Sequence, residues 1–261
     1  MMKKIYVVGM VILAMAIALT GCGGEKKAEK PAEVKKVLKV GLNPDFAPFE
    51  FVDKDGKITG FDVDLIQAIG KQMGMEVNIQ NMSFDGLVPA LKTGNLDVAI
   101  SGMTITEERK KSISFSDPYY QSGLVVLVNK DNSSITGIND LKGKKIAAQI
   151  GSTGSMAAHK VEGAKVTDLN NTPETYLELK KGSVDGVVND LPAVQYFLKT
   201  DEGKNFKIVG NVLEAENLGI GINPSNKELV TNINKALAEL KKNGEYDKLY
   251  EKWFGSKPVS K

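Results

Sequence analysis

The sequence has few of the side chains that covalent and metal chemistry usually require. Among its 261 residues there are one cysteine, one histidine and one tryptophan. A single cysteine cannot close a disulfide within the chain or build a multi-thiolate metal site. There is also no Gly-x-Ser-x-Gly nucleophile motif, and no cluster of carboxylates or histidines with the spacing of metal ligands. We therefore expect neither a metal nor a cofactor.

The sequence also lacks an excess of charge of either sign. Its 34 basic and 32 acidic residues leave a formal charge of +2, so there is no global positive field to hold nucleic acid by its phosphates. With 42% hydrophobic residues, the chain can bury a core in each of two modest domains. Composition therefore indicates a globular protein that does not bind nucleic acid.

The longest apolar run lies near the N-terminus. Lys3 and Lys4 precede apolar residues 5–19, a pattern typical of a secretory signal peptide, which we place at residues 1–21. The run is shorter than the roughly 20 residues needed to span a bilayer. A permanent spanning helix is therefore the weaker interpretation.

Cys22 ends the segment Leu19-Thr-Gly-Cys22, which resembles the lipobox of bacterial lipoproteins. The resemblance implies cleavage before Cys22 and lipidation of its sulfur by a diacylglyceryl group; the alternative is an incidental thiol. Two acyl chains give stable membrane residence, whereas a single chain binds only marginally. Residues 22–36 contain almost nothing to bury, so we expect this lipidated segment to form a flexible tether.

From residue 37 onward, short β-rich runs alternate with runs of helical periodicity. We expect a strand at 38–42, a hairpin turning at Asp55-Gly56, a helix at 62–73 and a strand at 75–80. A short helix at 85–91 and a buried strand at 96–100 follow. This order of strand, helix and strand predicts parallel sheet.

A second series of the same α/β character occupies the later part of the chain. Strands are expected at 124–129, 145–150 and 184–188, with helices after the turn at 151–155 and from Leu191. A helix at 226–242 follows, and we expect Tyr246, Leu249, Trp253 and Phe254 beyond it to anchor the core.

Several segments carry a resemblance to a known family. They are Phe46-Ala-Pro-Phe-Glu-Phe51, Gly60-Phe-Asp-Val-Asp-Leu65, Gly102-Met-Thr-Ile-Thr-Glu-Glu-Arg109, Phe115-Ser-Asp117 and Tyr250-Glu-Lys-Trp-Phe-Gly255. Through them, residues 37–255 resemble the amino-acid-binding extracytoplasmic solute-binding proteins of ABC transporters (bacterial solute-binding protein family 3), especially the glutamine-binding ones.

The resemblance implies a type II periplasmic-binding-protein-like α/β fold. Each of two lobes would be a doubly wound mixed sheet, and two crossing strands near residues 119–123 and 214–218 would join them. Lobe 1 would be discontinuous, at 37–121 plus 217–261, and lobe 2 would occupy 122–216. The implied function is capture of an amino acid outside the cytoplasmic membrane or in the periplasm, followed by delivery to an ABC transporter permease. We expect a monomer.

An α-amino acid requires a cation for its carboxylate, an anion for its ammonium group and a shaped pocket for its side chain. The resemblance assigns the carboxylate to Arg109, whose planar guanidinium can donate two parallel bonds, and to Thr104. Residues 107–111 alone, Glu-Glu-Arg-Lys-Lys, indicate a charged helical face. Their position after Gly102-Met-Thr-Ile-Thr, in a turn that follows a strand, favours a ligand site instead.

The turn Gly151-Ser-Thr-Gly-Ser155 follows a predicted strand and opens a helix, where free N–H groups favour an anion. A short Gly/Ser turn is more often only a loop, and it is the resemblance that assigns Thr153 and Gly154 to the ligand. It also assigns Asp190 to the ammonium group. The alternative for Asp190 is a helix N-cap, and the two roles are compatible.

Two aromatic residues and a glycine complete the contacts that the resemblance implies. Phe46 and Phe84 would lie against the ligand's side chain, although aromatic residues more often belong to a core. The missing side chain at Gly102 would let the ligand approach the backbone closely.

Asn43 and Gln149 are expected to set specificity, because the family lines the distal pocket with residues at their positions. Many relatives carry Asp where this chain has Asn43, and a neutral amide offers no charge to a lysine or arginine side chain. Amide groups match the donors and acceptors of an amide ligand. Glutamine is therefore favoured, ahead of asparagine and arginine, and Asn189 is a further candidate contact from lobe 2.

Two other classes of function compete with binding and transport. A dehydratase on the same fold would need a general acid in the cleft, and the one histidine, His159, is expected on the surface of its helix. A sensory module would need a spanning helix or signalling domain, and no segment after Gly255 has that pattern. We expect a binding protein and not an enzyme.

Overall fold

The computed structural model describes residues 36–258. The predicted signal peptide, Cys22 and all of the predicted tether except Lys36 lie outside the described residues. Between residues 36 and 258, none of the helices is long and apolar enough to cross a membrane.

Strands and short helices alternate along most of this range. The strands are β1 (Val37–Leu42), β2 (Asp45–Phe46), β3 (Glu50–Val52), β4 (Ile58–Thr59), β5 (Glu76–Asn81), β6 (Val98–Ala99), β7 (Ser114–Phe115), β8 (Tyr120–Asn129), β9 (Lys145–Gln149), β10 (Lys165–Leu169), β11 (Gly186–Asp190), β12 (Phe206–Val209), β13 (Ala215–Leu218) and β14 (Gly221–Ile222). The α-helices are α1 (Phe61–Gln72), α2 (Phe84–Thr93), α3 (Glu107–Lys110), α4 (Thr153–His159), α5 (Thr172–Lys180), α6 (Leu191–Leu198), α7 (Lys227–Lys242) and α8 (Glu245–Phe254). Two 3-10 helices lie at Ile138–Leu141 and Gly203–Asn205.

The sheet of lobe 1 has the strand order β5-β1-β6-β14-β7. Strand β1 pairs in parallel with β5 and β6, whereas β14 is antiparallel to β6 and β7. Successive residues of β6 enter different cores, because Val98 packs with α1 and α7 while Ala99 packs with α2. The sheet is therefore covered on both faces.

Helix α7 shows how sequence periodicity builds the core of this lobe. The four apolar positions predicted for it, Leu229, Ile233, Leu237 and Leu240, are all buried, as a 3.6-residue period requires of one face. The Asn226 side chain accepts a hydrogen bond of 3.0 Å from the backbone N–H of Leu229 and so fixes the start of the helix.

The C-terminal aromatic residues pack against the same core. Tyr246 is buried, and Leu249, Trp253 and Phe254 are partly buried against the lobe 1 cluster. The ring of Phe254 lies 5.2 Å from that of Phe61 at the start of α1. The prediction that these residues anchor the core is confirmed.

The sheet of lobe 2 has the strand order β10-β9-β11-β8-β12. Strands β10, β9 and β11 are parallel, and β8 is antiparallel to both β11 and β12. Residues of β8 alternate strictly between two hydrophobic clusters, with Val125 and Leu127 in one and Leu124 and Val126 in the other. Each lobe is thus a mixed sheet between two layers of side chains.

Two strands cross between the lobes. The first part of β8 pairs antiparallel with β13, from Tyr120 opposite Leu218 to Gly123 opposite Ala215. From Leu124 onward, β8 continues without a break into the sheet of lobe 2. The predicted two-lobed α/β fold with two crossing strands is confirmed.

The strands predicted at 96–100 and 184–188 have other bounds in the structure. The strand predicted at 96–100 is only Val98–Ala99, and the strand predicted at 184–188 is Gly186–Asp190. The ladder between β11 and β8 extends to Asp190 opposite Leu124, so pairing, and not the apolar run, determines where β11 ends. This shift places Asn189 and Asp190 inside the strand, where both are buried.

Candidate ligand-binding site

A small cavity of about 10 Å³ lies between the two lobes, where the ends of β1, β6, β9 and β11 meet. The two lobes are therefore closed against each other at this point. It is lined by Asn43, Phe46, Glu50, Phe84, Ser101, Gly102, Thr104, Arg109, Gln149, Ser152, Thr153, Asn189 and Asp190. Nine of the ten predicted ligand contacts are in this set.

Gly154 is the predicted contact that does not line the cavity. It lies in α4, where a Cβ atom would come within 2.5 Å of the Val188 carbonyl oxygen. Its lack of a side chain lets α4 approach β11 closely. In this structure Gly154 therefore positions the helix that carries Thr153.

Arg109 is the central cation of the cavity. It lies in the one-turn helix α3, whose N-cap Thr106 accepts a hydrogen bond of 3.1 Å from the Arg109 backbone N–H. Its side chain turns inward: Nη1 donates to the Thr104 carbonyl of lobe 1 at 2.6 Å and Nη2 to the Gly151 carbonyl of lobe 2 at 2.9 Å. The guanidinium therefore bridges the lobes.

The neighbours of Arg109 in sequence behave differently. Lys110 and Lys111 are exposed and pair with Glu107 and Glu108 at 2.8 and 2.6 Å, as expected of a charged helical face. Burial lowers the pKa of Arg109 to about 10, an effect opposed by the charges of Glu216 and Asp190. Arg109 thus stays cationic at neutral pH inside the cavity.

Asp190 supplies a buried anion from lobe 2. It occupies the N-cap position of α6 but makes no side-chain capping bond. Instead its Oδ1 accepts a 2.7 Å hydrogen bond from the Ser122 hydroxyl on the first crossing strand. Burial, and then the charge of Glu216, raise the pKa of Asp190, while Ser122 and Arg109 act in the opposite direction. The N-cap alternative therefore does not account for its side chain.

Glu216 is a second buried carboxyl group beside Asp190, and sequence reasoning did not identify it. It lies on β13 opposite Ser122, and its Oε2 accepts a 3.3 Å hydrogen bond from the Thr104 hydroxyl. The Thr104 and Thr153 hydroxyls, one from each lobe, are 3.4 Å apart. Burial raises the pKa of Glu216, whereas hydrogen bonds from Thr153 and Thr104 lower it. The crossing strand thus brings a carboxyl group to the junction of the lobes.

Asn43 and Gln149 face each other across the cavity. Gln149 Nε2 donates to Asn43 Oδ1 at 2.8 Å and to the Asn170 carbonyl at 3.2 Å. Asn43 Nδ2 donates to Asp45 at 3.2 Å. The two amides predicted to set specificity are therefore in direct contact, one from each lobe.

The aromatic residues Phe46 and Phe84 form walls of the cavity. Phe84, at the start of α2, has the guanidinium carbon of Arg109 at 5.4 Å from its ring centroid, within the range of a cation–π contact. The ring of Phe46 stacks on that of Phe49 at 5.5 Å. Gly102 has a φ of +54°, and a Cβ atom there would lie 2.5 Å from the Phe46 ring.

Glu50 and Ser101 line the cavity although the sequence analysis did not propose them. The Glu50 side chain is fully buried, and its Oε1 accepts a 2.7 Å hydrogen bond from the Ser101 hydroxyl. Burial and the nearby charge of Asp62 raise the pKa of Glu50 well above its ordinary value. The only signal in the sequence was its position within Phe46-Ala-Pro-Phe-Glu-Phe51, a motif already used for the resemblance.

A larger cavity lies nearby, between lobe 1 and helices α5 and α6. Its walls are largely apolar and include Tyr176, Tyr196 and Phe197. Lys180 and Glu202 at its edge pair with each other at 3.2 Å. The smaller cavity is the better candidate for a zwitterion, because it combines a buried cation with buried carboxyl groups.

Residues 38–256 match the family of bacterial extracellular solute-binding proteins, family 3. The chain is similar to a probable histidine-binding protein of Neisseria gonorrhoeae, with 37% identity over 92% of this chain and 91% of that protein. It is also similar to the arginine-binding extracellular protein ArtP of Bacillus subtilis, with 36% identity over 97% of this chain and 98% of that protein.

The chain is also similar to solved structures of amino-acid-binding proteins. An ancestral arginine-binding protein bound to arginine matches with a TM-score of 0.82 and 47% identity over 85% of this chain and all of that chain. An ancestral arginine-binding protein bound to glutamine matches with a TM-score of 0.80 and 46% identity over 86% of this chain and all of that chain.

A third structure is the ancestral amino-acid-binding protein AncCDT-1, a precursor of cyclohexadienyl dehydratase. It matches with a TM-score of 0.78 and 42% identity over 84% of this chain and 95% of that chain. The matches extend over most of the chain and agree with the two-lobed fold. The chain therefore belongs to the bacterial extracellular solute-binding proteins, family 3.

Proposed function

We propose that this chain captures an α-amino acid outside the cytoplasmic membrane and delivers it to an ABC transporter permease. The observation that carries the proposal is the pair Arg109 and Asp190. They come from different lobes, both are 6% exposed, and both line one cavity. A cation and an anion in this arrangement match the two charged ends of a zwitterion.

Each end of the ligand has its own partners in this proposal. Arg109, with the hydroxyls of Thr104 and Thr153, binds the α-carboxylate. Asp190 binds the α-ammonium group, with the Gly102 backbone beside it. Because these groups are divided between the lobes, a bound ligand stabilises the closed arrangement, and that differential affinity drives closure. The boundaries proposed for the lobes are 37–121 plus 217–261 and 122–216.

For the side chain we propose arginine ahead of glutamine, which reverses the order suggested by Asn43 alone. Glu50 is the reason, because it adds a carboxyl group to a wall that the sequence analysis treated as neutral. A guanidinium donates to carboxyl and amide oxygens alike, so Glu50, Asn43 and Gln149 together suit it. Several relatives, including ArtP, are named as arginine-binding.

Glutamine is the second candidate. The amides of Asn43 and Gln149 already pair at 2.8 Å, and a ligand amide between them finds both a donor and an acceptor. The ancestral arginine-binding protein that was solved with glutamine supports this choice.

A screen of the purified chain against the twenty common amino acids tests the proposal. Selective binding raises the melting temperature of the folded form, and we expect the largest rise with arginine, then glutamine. Calorimetry then gives the two affinities. A chain whose melting temperature responds to none of the amino acids would refute the proposal.

The enzymatic alternative arises from the dehydratase precursor among the solved structures. Incubation with prephenate or arogenate, with product followed by absorbance, distinguishes the two. We expect no turnover by this chain. Measurable turnover would favour elimination chemistry with Glu50, Asp190 or Glu216 as the acid.

Anchoring through Cys22 is also a proposal, supported by the Leu19-Thr-Gly-Cys22 segment. In a bacterial host, the unchanged chain should sediment with membranes and incorporate labelled palmitate. The Cys22→Ser variant should do neither. Equal membrane association of the two forms would exclude lipid anchoring at this residue.

A further inference from the structure

Two buried carboxyl groups lie behind the wall of the cavity. Glu50 on β3 and Asp62 on α1 both have 0% relative exposure, and they accept hydrogen bonds from consecutive residues, Glu50 from the Ser101 hydroxyl and Asp62 from the Gly102 N–H. Each carboxyl group also acts on the pKa of the other. Glu50 reaches the cavity, whereas Asp62 lies behind it. The pair thus connects the ligand site to the interior of lobe 1.

The hydrogen bonds around the pair fix the role of two of the four oxygens. The Ser101 hydroxyl accepts from the Asn43 N–H at 3.0 Å and so directs its one proton to Glu50 Oε1, at 2.7 Å. Asp62 Oδ2 accepts from the Gly102 N–H and from the Tyr119 hydroxyl, both at 2.8 Å. Both oxygens are therefore acceptors.

The other two oxygens, Glu50 Oε2 and Asp62 Oδ1, receive a hydrogen bond from no donor within residues 36–258. Two ionised carboxylates in contact inside a protein repel each other strongly, and a buried acceptor without a donor costs free energy. A single proton shared by the two carboxyl groups removes the repulsion between their charges.

The number of hydrogen bonds that each carboxyl group accepts indicates whether Glu50 or Asp62 carries the proton. Asp62 already accepts two hydrogen bonds at Oδ2 and Glu50 accepts one at Oε1, so the negative charge is better stabilised on Asp62. Burial raises the pKa of both groups, to about 6 for Asp62 and well above the ordinary value for Glu50. Glu50 therefore carries the proton and donates it to Asp62.

We propose that Asp62 is a specificity-determining residue that acts through Glu50, by exchanging this proton with it according to the charge of the ligand. Beside a neutral side chain, Glu50 keeps the proton and Asp62 is the anion. Beside a cationic side chain, the Glu50 O–H bond breaks, an O–H bond forms on Asp62 Oδ1, and the negative charge moves to Glu50. The inference rests on the proposed function, since it needs an amino acid in this cavity.

The proton stays within the pair, so no other acid or base is required. The remaining titratable groups near the pair are Asp45, whose charge acts on Glu50, and Tyr119 and Tyr246, which lie next to Asp62. Arg109 and Asp190 line the same cavity from its other sides. Exchange of the proton within the pair would allow one cavity to accept both arginine and glutamine.

Two isosteric substitutions test the inference, because each one replaces a carboxyl group of the pair by an amide, which always donates and never ionises. In Glu50→Gln, the amide donates to Asp62 and reproduces the neutral state. In Asp62→Asn, the amide donates to Glu50 Oε2 and favours the Glu50 anion. We expect the ratio of the arginine and glutamine Kd values to move toward glutamine by about tenfold in the first variant and toward arginine by about tenfold in the second.

Asp64→Asn is the matched control on the same helix. Asp64 lies two residues from Asp62 but accepts from Lys252 and Trp253 at 2.6 and 2.7 Å, outside the cavity lining. Its substitution should leave the ratio unchanged. A purely structural role for Asp62 would weaken both ligands together, so shifts of the ratio in opposite directions are specific to proton exchange.

The unmodified chain gives a second test that does not depend on the folding of variants. Because both complexes hold the same number of protons above the pKa of Asp62, linkage requires the ratio of the two Kd values to be constant between pH 7 and 8. A ratio that changes tenfold per pH unit would overturn the inference, as would equal ratios in the two variants. Failure of every amino acid to bind would instead overturn the proposed function.

Discussion

Replacing Arg109 with alanine removes the cation on which the proposed site depends. In the structure this side chain donates at 2.6 Å to the Thr104 carbonyl and at 2.9 Å to the Gly151 carbonyl, and it lies over Phe84 at 5.4 Å. With 6% exposure, its charge has little contact with water. The proposed carboxylate of the ligand would therefore lose a buried, charge-assisted partner.

The expected loss can be estimated from such pairs. Truncating one member of a buried, hydrogen-bonded ion pair costs about 3–5 kcal/mol. Since about 1.4 kcal/mol corresponds to a factor of ten in Kd, we expect the Kd for the preferred amino acid to rise from about a hundredfold to a few thousandfold. Isothermal titration calorimetry on the purified chain measures this change.

Lys110→Ala is the control, because Lys110 is the next residue and pairs with Glu107 only at the surface, at 2.8 Å. Exposed pairs of this kind contribute about 0–1 kcal/mol, so binding should be unaltered. Thermal unfolding of both variants separates loss of binding from loss of folding. A well-folded Arg109→Ala variant whose Kd stays within threefold of the original would refute the assignment of the cavity.

Substitutions at Asn43, Gly102 and Asp62 test other parts of the structure. Asn43→Asp places a carboxylate beside Gln149 and should shift preference toward cationic amino acids; a competition assay that shows the same ligand order would remove Asn43 from the specificity argument. Gly102→Ala should cost about 2–4 kcal/mol of stability, because φ is +54° and the new Cβ meets the Phe46 ring. Gly56→Ala, at φ +77° with open space around it, should cost only about 1–2 kcal/mol. Equal denaturant midpoints for the two variants would contradict this prediction. Burial raises the pKa of Asp62 from near 4 to about 6. The folded chain therefore binds more protons than the unfolded chain between these pH values, and it loses stability as pH rises through 6. The stability of Asp62→Asn relative to the original chain should increase by about 3 kcal/mol between pH 4 and 7, and parallel melting curves across that range would count against it.

The sequence was most informative where periodicity and pairing agree. In α7 the apolar period identified the buried face correctly, because one side of a helix must face the core. For β11, the apolar run ends at Val188, but the strand continues to Asp190, which pairs opposite Leu124. The apolar pattern therefore did not give the end of this strand. The boundaries of strands depend on partners that are distant in sequence.

The candidate site shows a similar division. Residues next to recognisable turns, such as Arg109 and Thr153, were predicted and line the cavity. Glu50 and Glu216 were not proposed, because a glutamate in a strand ordinarily faces water. Their burial results from the pairing of β3 with β2 and of β13 with β8, which no local pattern reveals. Their roles, like those of the predicted contacts, stay predictions until binding is measured.

The unbroken path of β8 from the crossing into lobe 2 determines how the lobes can separate. No loop interrupts it, so opening must be a torsion of the two-stranded ribbon that Tyr120–Gly123 forms with Ala215–Leu218. Points near the axis of such a rotation move least. Glu216 and Ser122 lie on this ribbon, whereas Asn43 and Gln149 lie at the ends of other strands, β1 and β9, and travel further. The ammonium end of the site would thus act as a pivot that is assembled early, and the side-chain end would be completed last.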